Sequence, residues 1–197
     1  MKKRIAAVAM MTALVFCAAC GGKNEKKFAL GEIEGSTYTN SYVGVSFEEE
    51  GSWDMAAATE AGEVDYEGAY QIIDFQANNP DTMETINITY QQLSELEREE
   101  FDDLSEKECV NEMIKAGGME ASYAQQGFTV NEISAKQVKF LGKKRTAVYS
   151  ALEYFGMEYY ALQIIDFHAG EYMPIITFGC YYDDTTEDLL SLFESDK

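Results

Sequence analysis

The C-terminal half of the chain consists largely of stretches with the composition of β-strands. They cover residues 133–141, 145–155, 159–167 and 172–182. Their content of Val, Ile, Tyr and Phe is typical of strands, and the short glycine-containing segments between them predict turns. Because antiparallel neighbours can be joined by short turns, the pattern predicts an antiparallel β-meander.

Two more strands are predicted before the meander, at residues 69–76 and 85–93, and a helix follows them. Ser105 and Glu108 have the spacing of a capping box, in which each side chain bonds the backbone of the other residue. A second, short helix is predicted at residues 184–193. Apolar residues recur at helical spacing after the capping box; they are Cys109, Val110, Met113 and Ile114.

Strands in series with helices before and after them indicate an α+β fold. We expect one antiparallel β-sheet with helices packed on its faces, an α/β/α sandwich. Residues 71–75 and 163–167 both have the sequence Gln-Ile-Ile-Asp-Phe. We interpret these two copies as strands with equivalent positions in the same sheet.

The N-terminus has the layout of a secretory signal. Three basic residues, 2–4, precede the apolar run 5–16, which is too short to cross a bilayer of about 30 Å. Ala18, Ala19 and Cys20 resemble a bacterial lipobox, in which the cysteine receives a diacylglyceryl group. This predicts a lipoprotein signal peptide at residues 1–19 and lipid attachment at Cys20. The alternative is an ordinary signal peptide that is cleaved at the same point.

Residues 20–36 are polar and contain several glycines, and they predict a flexible tether behind the lipidated cysteine. Without residues 1–19 the chain has 12 Lys and Arg against 35 Asp and Glu, a net charge of −23. Such an acidic chain repels nucleic acid. We therefore expect no nucleic-acid partner, and attachment to the membrane through the lipid.

The remaining residues, 37–197, are predicted to form a single domain. Its opening pattern is Tyr38-x-Asn40-x-Tyr42-x-Gly44-Val45-x-Phe47, followed by Gly51-x-Trp53. This pattern resembles the start of PsbP/Mog1-like domains, which occur in many small bacterial lipoproteins. The resemblance implies a PsbP/Mog1-like α/β sandwich and a protein that acts by docking onto a larger partner. It carries no binding residues over to this chain.

Two cysteines remain once Cys17 is removed with the signal peptide and Cys20 is assigned to the lipid. Cys109 is predicted on the inner face of the long helix and Cys180 in the last strand. A disulfide between them is one alternative, because disulfides persist outside the cytoplasm. Two separate buried cysteines are the other, because free cysteine is commonly buried.

No motif for nucleophilic or metal-dependent catalysis is present in the sequence. His168, the only histidine, is two residues from Asp166, and we interpret it as a structural histidine because no nucleophile motif accompanies it. The acidic clusters at residues 97–103 and 183–184 lack the spacing of a calcium loop. We therefore predict no catalytic residue, no metal site and no cofactor.

A single basic patch is predicted in this acidic domain. It could contact a polyanion of the envelope, a membrane surface or an acidic partner; the alternative is a charged turn that discourages strand-edge aggregation. Its members are Lys136, Lys139, Lys143, Lys144 and Arg145.

Together these features predict a non-catalytic, lipid-anchored lipoprotein on the extracytoplasmic face of the cell membrane. We expect it to bind a protein partner or a cell-envelope component. The alternative is an accessory lipoprotein that binds a solute or cation for transport or sensing. That alternative predicts an aromatic-lined pocket with convergent polar groups.

Overall fold

The computed structural model describes residues 27–49, 51–57, 63–66 and 69–195. The predicted signal peptide, Cys20 and the first part of the tether lie outside the described residues. The described residues form a mixed α+β fold with two antiparallel sheets and four α-helices, in which strands predominate. None of the helices in this part of the chain has the length and apolar character needed to cross a membrane.

The strands, in chain order, are β1 (Glu32–Glu34), β2 (Thr37–Asn40), β3 (Val45–Glu48), β4 (Asp54–Ala57), β5 (Glu63–Tyr66), β6 (Ala69–Asn79), β7 (Glu84–Gln92), β8 (Thr129–Phe140), β9 (Lys143–Tyr154), β10 (Met157–Ile165), β11 (Tyr172–Tyr181) and β12 (Phe193–Ser195). The small sheet has the order β1-β2-β3-β12. The large sheet has the order β4-β6-β7-β11-β10-β9-β8, and β5 also pairs with β6.

The predicted meander is confirmed. Strands β8 to β11 pair with their sequence neighbours in antiparallel register. Two-residue turns join β8 to β9 and β9 to β10, at Leu141-Gly142 and Phe155-Gly156. All four turn residues have positive φ, the backbone conformation of the type I′ hairpin turn.

Helices α1 (Glu95–Asp102), α2 (Glu106–Ala116) and α3 (Gly118–Gln125) lie between β7 and β8. The capping box of Ser105 and Glu108 is present at the start of α2. The apolar face of α2 packs on one face of the large sheet, in a cluster that includes Cys109, Val110 and Val148. The prediction of a buried stripe on this helix is confirmed.

The opposite face of the large sheet differs from the expected α/β/α sandwich. The larger core cluster on this face joins residues of the small sheet, such as Tyr38 and Phe47, to Phe75 and Phe178 of the large sheet. In the described residues, the small sheet and a short terminal helix therefore cover this face where we expected a helical layer.

The predicted helix at residues 184–193 is shorter than expected. Helix α4 covers Thr186–Leu189, and a single 3₁₀ turn covers Leu190–Leu192. The chain then enters β12, which pairs with β3. Phe193 is buried opposite Phe47 in this pairing, so the residues after the 3₁₀ turn complete the small sheet.

The folded part of the chain also begins earlier than residue 37. The Phe28 ring stacks on Tyr172 at 3.9 Å between centroids and contacts Tyr42 and Tyr90 edge-on. The Gly31 N–H donates a hydrogen bond to Asp74, and β1 pairs with β2. Part of the predicted tether, at Phe28, Gly31 and β1, therefore packs on or pairs with the domain.

Candidate functional site

The five cations of the basic patch fall into two groups, those with partners among the described residues and those without. Lys136 contacts Glu187 at 2.8 Å, and its ammonium lies 4.8 Å from the centre of the Tyr149 ring. The Arg145 Nε donates to Glu106 at 2.6 Å, and its guanidinium also donates to the Ile165 carbonyl. These two cations therefore stabilise contacts within the domain.

The other three cations lie together beside the Leu141-Gly142 turn. Lys139, Lys143 and Lys144 are exposed, and none of them makes an ion pair with another described residue. Lys139 and Lys144 are directly opposite each other in the β8–β9 register. Like charges in that position destabilise a sheet, so these lysines are available for an external anion.

A cleft of about 250 Å³ lies next to these lysines. Its seven lining residues are Glu106, Lys143, Arg145, Ile165, Asp166, Phe167 and His168. His168 is exposed, and its backbone N–H donates to the Asp166 carboxylate at 3.4 Å. No lining residue in this described part of the chain has a hydroxyl or thiol, so the cleft offers His168 no nucleophile to activate.

The two described cysteines are free and buried. Cys109 belongs to the cluster beneath α2. Cys180 is paired in register with Tyr160 and accepts a hydrogen bond from the Thr185 N–H. Side chains two residues apart in a strand share a face, so Cys180 lies on the same face of β11 as Phe178 and Ile176. Those two residues belong to the core cluster on the other side of the large sheet from Cys109. The large sheet separates the two thiols, and they are not bridged in this structure, which agrees with the alternative of two separate buried cysteines.

The acidic clusters have local roles. Glu97 bonds Ser94 in a capping box at the start of α1, and Asp184 accepts hydrogen bonds from Thr186. Within the described ranges, no group of three or more His, Cys, Asp or Glu side chains is arranged to hold a metal ion.

Sequence reasoning missed a buried polar network around Asp74. Its carboxyl group has no solvent exposure. Oδ2 accepts hydrogen bonds from Tyr38 Oη at 2.7 Å, Asn40 Nδ2 at 2.6 Å and Tyr90 Oη at 3.0 Å. Oδ1 accepts from the Gly31 N–H at 2.8 Å. The network therefore joins β2 of the small sheet to β6 and β7 of the large sheet.

A β-bulge places Asp74 in this network. The β6–β7 register shifts between Ile73 and Phe75, so Asp74 has no direct partner in the ladder and turns toward the small sheet. Burial, together with the nearby Asp74 carboxylate, raises the pKa of Tyr38 and of Tyr90 far above the usual range. Both tyrosines therefore act as hydrogen-bond donors to Asp74. Tyr38 and Asn40 belong to the opening sequence motif, which was the only signal of the network.

Sequence reasoning also missed the end of the large sheet farthest from Phe28. Here Met83, Phe155 and Tyr182 are 42%, 86% and 54% exposed, and each is a non-glycine residue with positive φ. The Tyr182 hydroxyl contacts the sulfur of Met157 at 3.5 Å. We call Met83, Phe155, Met157 and Tyr182 the apolar tip. The signal in the sequence was Phe155 before Gly156, where a type I′ turn favours Asn or Asp.

No protein-family model matches this chain, and no curated protein is significantly similar to it in sequence.

Proposed function

We propose that this chain is a non-catalytic lipoprotein, held on the extracytoplasmic face of the cell membrane by lipid on Cys20. We propose that it binds a protein partner or a cell-envelope component. The observation that supports this most is the position of Lys139, Lys143 and Lys144. They lie at the same end of the large sheet as Tyr172. The ring of Phe28, which precedes β1, stacks on Tyr172.

This arrangement fits attachment through the N-terminus. Cys20 is eight residues before Phe28, a separation of at most about 29 Å when the chain is fully extended. A lipid on Cys20 would therefore keep the lysine-bearing end close to the bilayer. Lys139 and Lys144 repel each other across the ladder, and phosphate headgroups would relieve that repulsion.

The proposed PsbP/Mog1-like identity of residues 37–197 is supported by the burial of its opening motif. Tyr38, Asn40, Tyr42, Val45, Phe47 and Trp53 are all at most 8% exposed. A pattern whose larger side chains are all buried is suited to marking a fold rather than a ligand site. The cleft beside His168 has no hydroxyl or thiol in its described lining, so a Ser-His or Cys-His type of site is not proposed there.

The test is intact mass spectrometry of the native chain purified from cell membranes. The proposal predicts a mature chain that begins at Cys20 and is heavier than its polypeptide by the mass of acyl chains. The Cys20→Ser variant should leave the membrane fraction. A native chain that is found without lipid, with residues 1–19 still attached, would contradict the proposal.

The alternative of a solute- or cation-binding lipoprotein has one observation in its favour, the cleft beside Lys143 and Arg145. Its lining contains a single phenylalanine and no tyrosine or tryptophan, so it is not the aromatic pocket that this alternative predicts. A ligand that binds the folded state raises the melting temperature. The alternative requires such a rise with calcium or a small organic anion, and a rise with the anion should disappear in Lys143→Ala.

A further inference from the structure

The apolar tip contains an exposed aromatic residue that has no role in the core. Phe155 and Leu141 occupy the same first position of two-residue turns, with φ of 49° in both. Leu141 is half-buried and packs against the larger core cluster, which explains an apolar residue there. Phe155 is 86% exposed, and among the described residues its ring contacts only that of its neighbour Tyr154. The fold gains little from a phenylalanine at this turn.

Carboxylates surround the apolar tip. Glu153 and Glu158 are directly opposite each other in the β9–β10 register, and both are exposed. This places a repulsive pair beside Phe155, as Lys139 and Lys144 form one at the other end of β9. The segments that form this end, 79–85, 153–158 and 181–185, contain no Lys, Arg or His. Their acidic residues are Asp81, Glu84, Glu153, Glu158, Asp183 and Asp184.

We propose that the apolar tip docks on a cationic protein surface, with Phe155 inserted into an apolar recess that is bordered by Lys or Arg side chains. This inference rests on the proposed function, because it names the surface by which the anchored protein binds its partner. Opposite charge relieves the repulsion between Glu153 and Glu158 and steers the encounter. An aromatic side chain buried at the centre of an interface commonly dominates its affinity.

The same charges disfavour two other occupants. A second copy of this chain would bring the same carboxylates against themselves in a symmetric contact. An anionic bilayer would repel them, and the tip lies at the opposite end of the large sheet from Phe28.

The test uses the mature chain with Cys20→Ser, which removes the lipid-attachment site, and a labelled amphipathic peptide of leucine and lysine as the probe. Fluorescence anisotropy should show binding that weakens with salt. A lysine and serine peptide of equal charge should bind at least about tenfold more weakly, because it has no apolar side chains to bury. Phe155→Asn should raise the dissociation constant about tenfold. It introduces a residue that the turn favours, so loss of folding is not expected.

Matched variants separate the tip from the general acidity of the chain. Leu96 on α1 is 68% exposed, and Leu96→Asn should leave binding unchanged. Glu153→Gln combined with Glu158→Gln should weaken binding and flatten its salt dependence. Glu99→Gln combined with Glu100→Gln removes the same charge from α1 and should do neither.

Three results would overturn the inference. The first is equal binding of the lysine and leucine peptide by Phe155→Asn and the unchanged chain. The second is a dimer in sedimentation that requires Phe155, which would make a second copy the occupant. The third is binding to neutral phosphatidylcholine vesicles that requires Phe155, which would make a bilayer the occupant. None of these depends on lipid at Cys20, so the inference and the proposed address can fail separately.

Discussion

At the scale of single residues, Asp74 and Asp166 form an informative comparison, because each follows the same Gln-Ile-Ile sequence. Asp74 is buried in a bulge and accepts hydrogen bonds from four groups. Asp166 lies in the exposed turn after β10. The difference comes from the small sheet, which supplies Tyr38 and Asn40 to one aspartate and has no counterpart at the other.

Asp74→Asn should therefore be strongly destabilising. The side-chain amide of the variant would place an N–H donor against the donors of Tyr38 and Asn40. Buried polar groups that are left without hydrogen-bond partners are costly. We expect the free energy of unfolding to fall by about 2–4 kcal/mol, measured by urea denaturation. Asp166→Asn, in the same local sequence, should change it by less than about 0.5 kcal/mol. Equal effects of the two substitutions would show that the network does not hold the sheets together.

Phe155→Asn should instead increase the free energy of unfolding. A phenylalanine with positive φ costs about 1 kcal/mol relative to a residue that tolerates this region, and Phe155 loses little contact when it is replaced. The variant should be more stable by about that amount in thermal or urea unfolding. Leu141→Asn, at the matching position of the other turn, should be less stable, because Leu141 packs on the core. A destabilised Phe155→Asn would mean that this side chain has a structural role.

At the scale of elements, the sequence was sufficient where local patterns agree with tertiary packing. The meander β8–β11 and the helix α2 followed from composition, turns, apolar spacing and the Ser105 capping box. The outer strands of the small sheet, β1 and β12, could not be predicted, since they have three residues each and too little periodicity to recognise. Their pairing depends on partners far along the chain, as the contact of Phe193 with the β3 region demonstrates.

Only part of the candidate site was predicted, because it too depends on partners far along the chain. The cluster of lysines at one hairpin is visible in the sequence as charge density. Which of them are neutralised depends on Glu106 and Glu187, which lie 39 and 51 positions away from Arg145 and Lys136. The residues of the apolar tip come from three separate segments that reach the same end only in the folded sheet.

The N-terminal segment offers a test at this scale. Phe28→Ala removes one stacked and two edge-on ring contacts, and should cost about 1–2 kcal/mol of stability. Hydrogen exchange should become faster in residues 27–34 and remain unchanged in the meander. Leu30 is a nearby exposed residue, and Leu30→Ala is the matched control. Unchanged exchange in Phe28→Ala would mean that the segment is not held by this ring.

At the scale of the whole molecule, stability should fall in alkaline solution. Burial raises the pKa of the Cys109 thiol from 9.0 to about 11, and burial also raises the pKa of Tyr38 and Tyr90 above 10.0. Below pH 9 these groups are protonated in both states. As the pH rises above these ordinary values, only the unfolded state loses protons, so the folded state loses stability, by up to about 1.4 kcal/mol per pH unit for each group.

Urea titrations between pH 7 and pH 11 measure this effect. The free energy of unfolding should be nearly constant up to the ordinary thiol pKa of 9.0 and should then fall. Tyr90→Phe lowers stability at every pH by removing a hydrogen bond, but its decline above pH 10 should be shallower because one titrating group is gone. A curve that stays flat to pH 11 in the unchanged chain would contradict the burial of these groups.

The proposed lipid on Cys20 would make the two ends of the large sheet face different surroundings, with the lysines near the bilayer and the apolar tip directed away from it. The most direct measurement is energy transfer from a dye on the introduced thiol of Lys144→Cys or Asp183→Cys to dye-labelled headgroups, with the lipidated chain in vesicles. Cys109 and Cys180 are buried, so the introduced thiol is the one that reacts. We predict strong transfer from position 144 and weak transfer from position 183. Equal transfer from both positions, or stronger transfer from 183, would contradict the account.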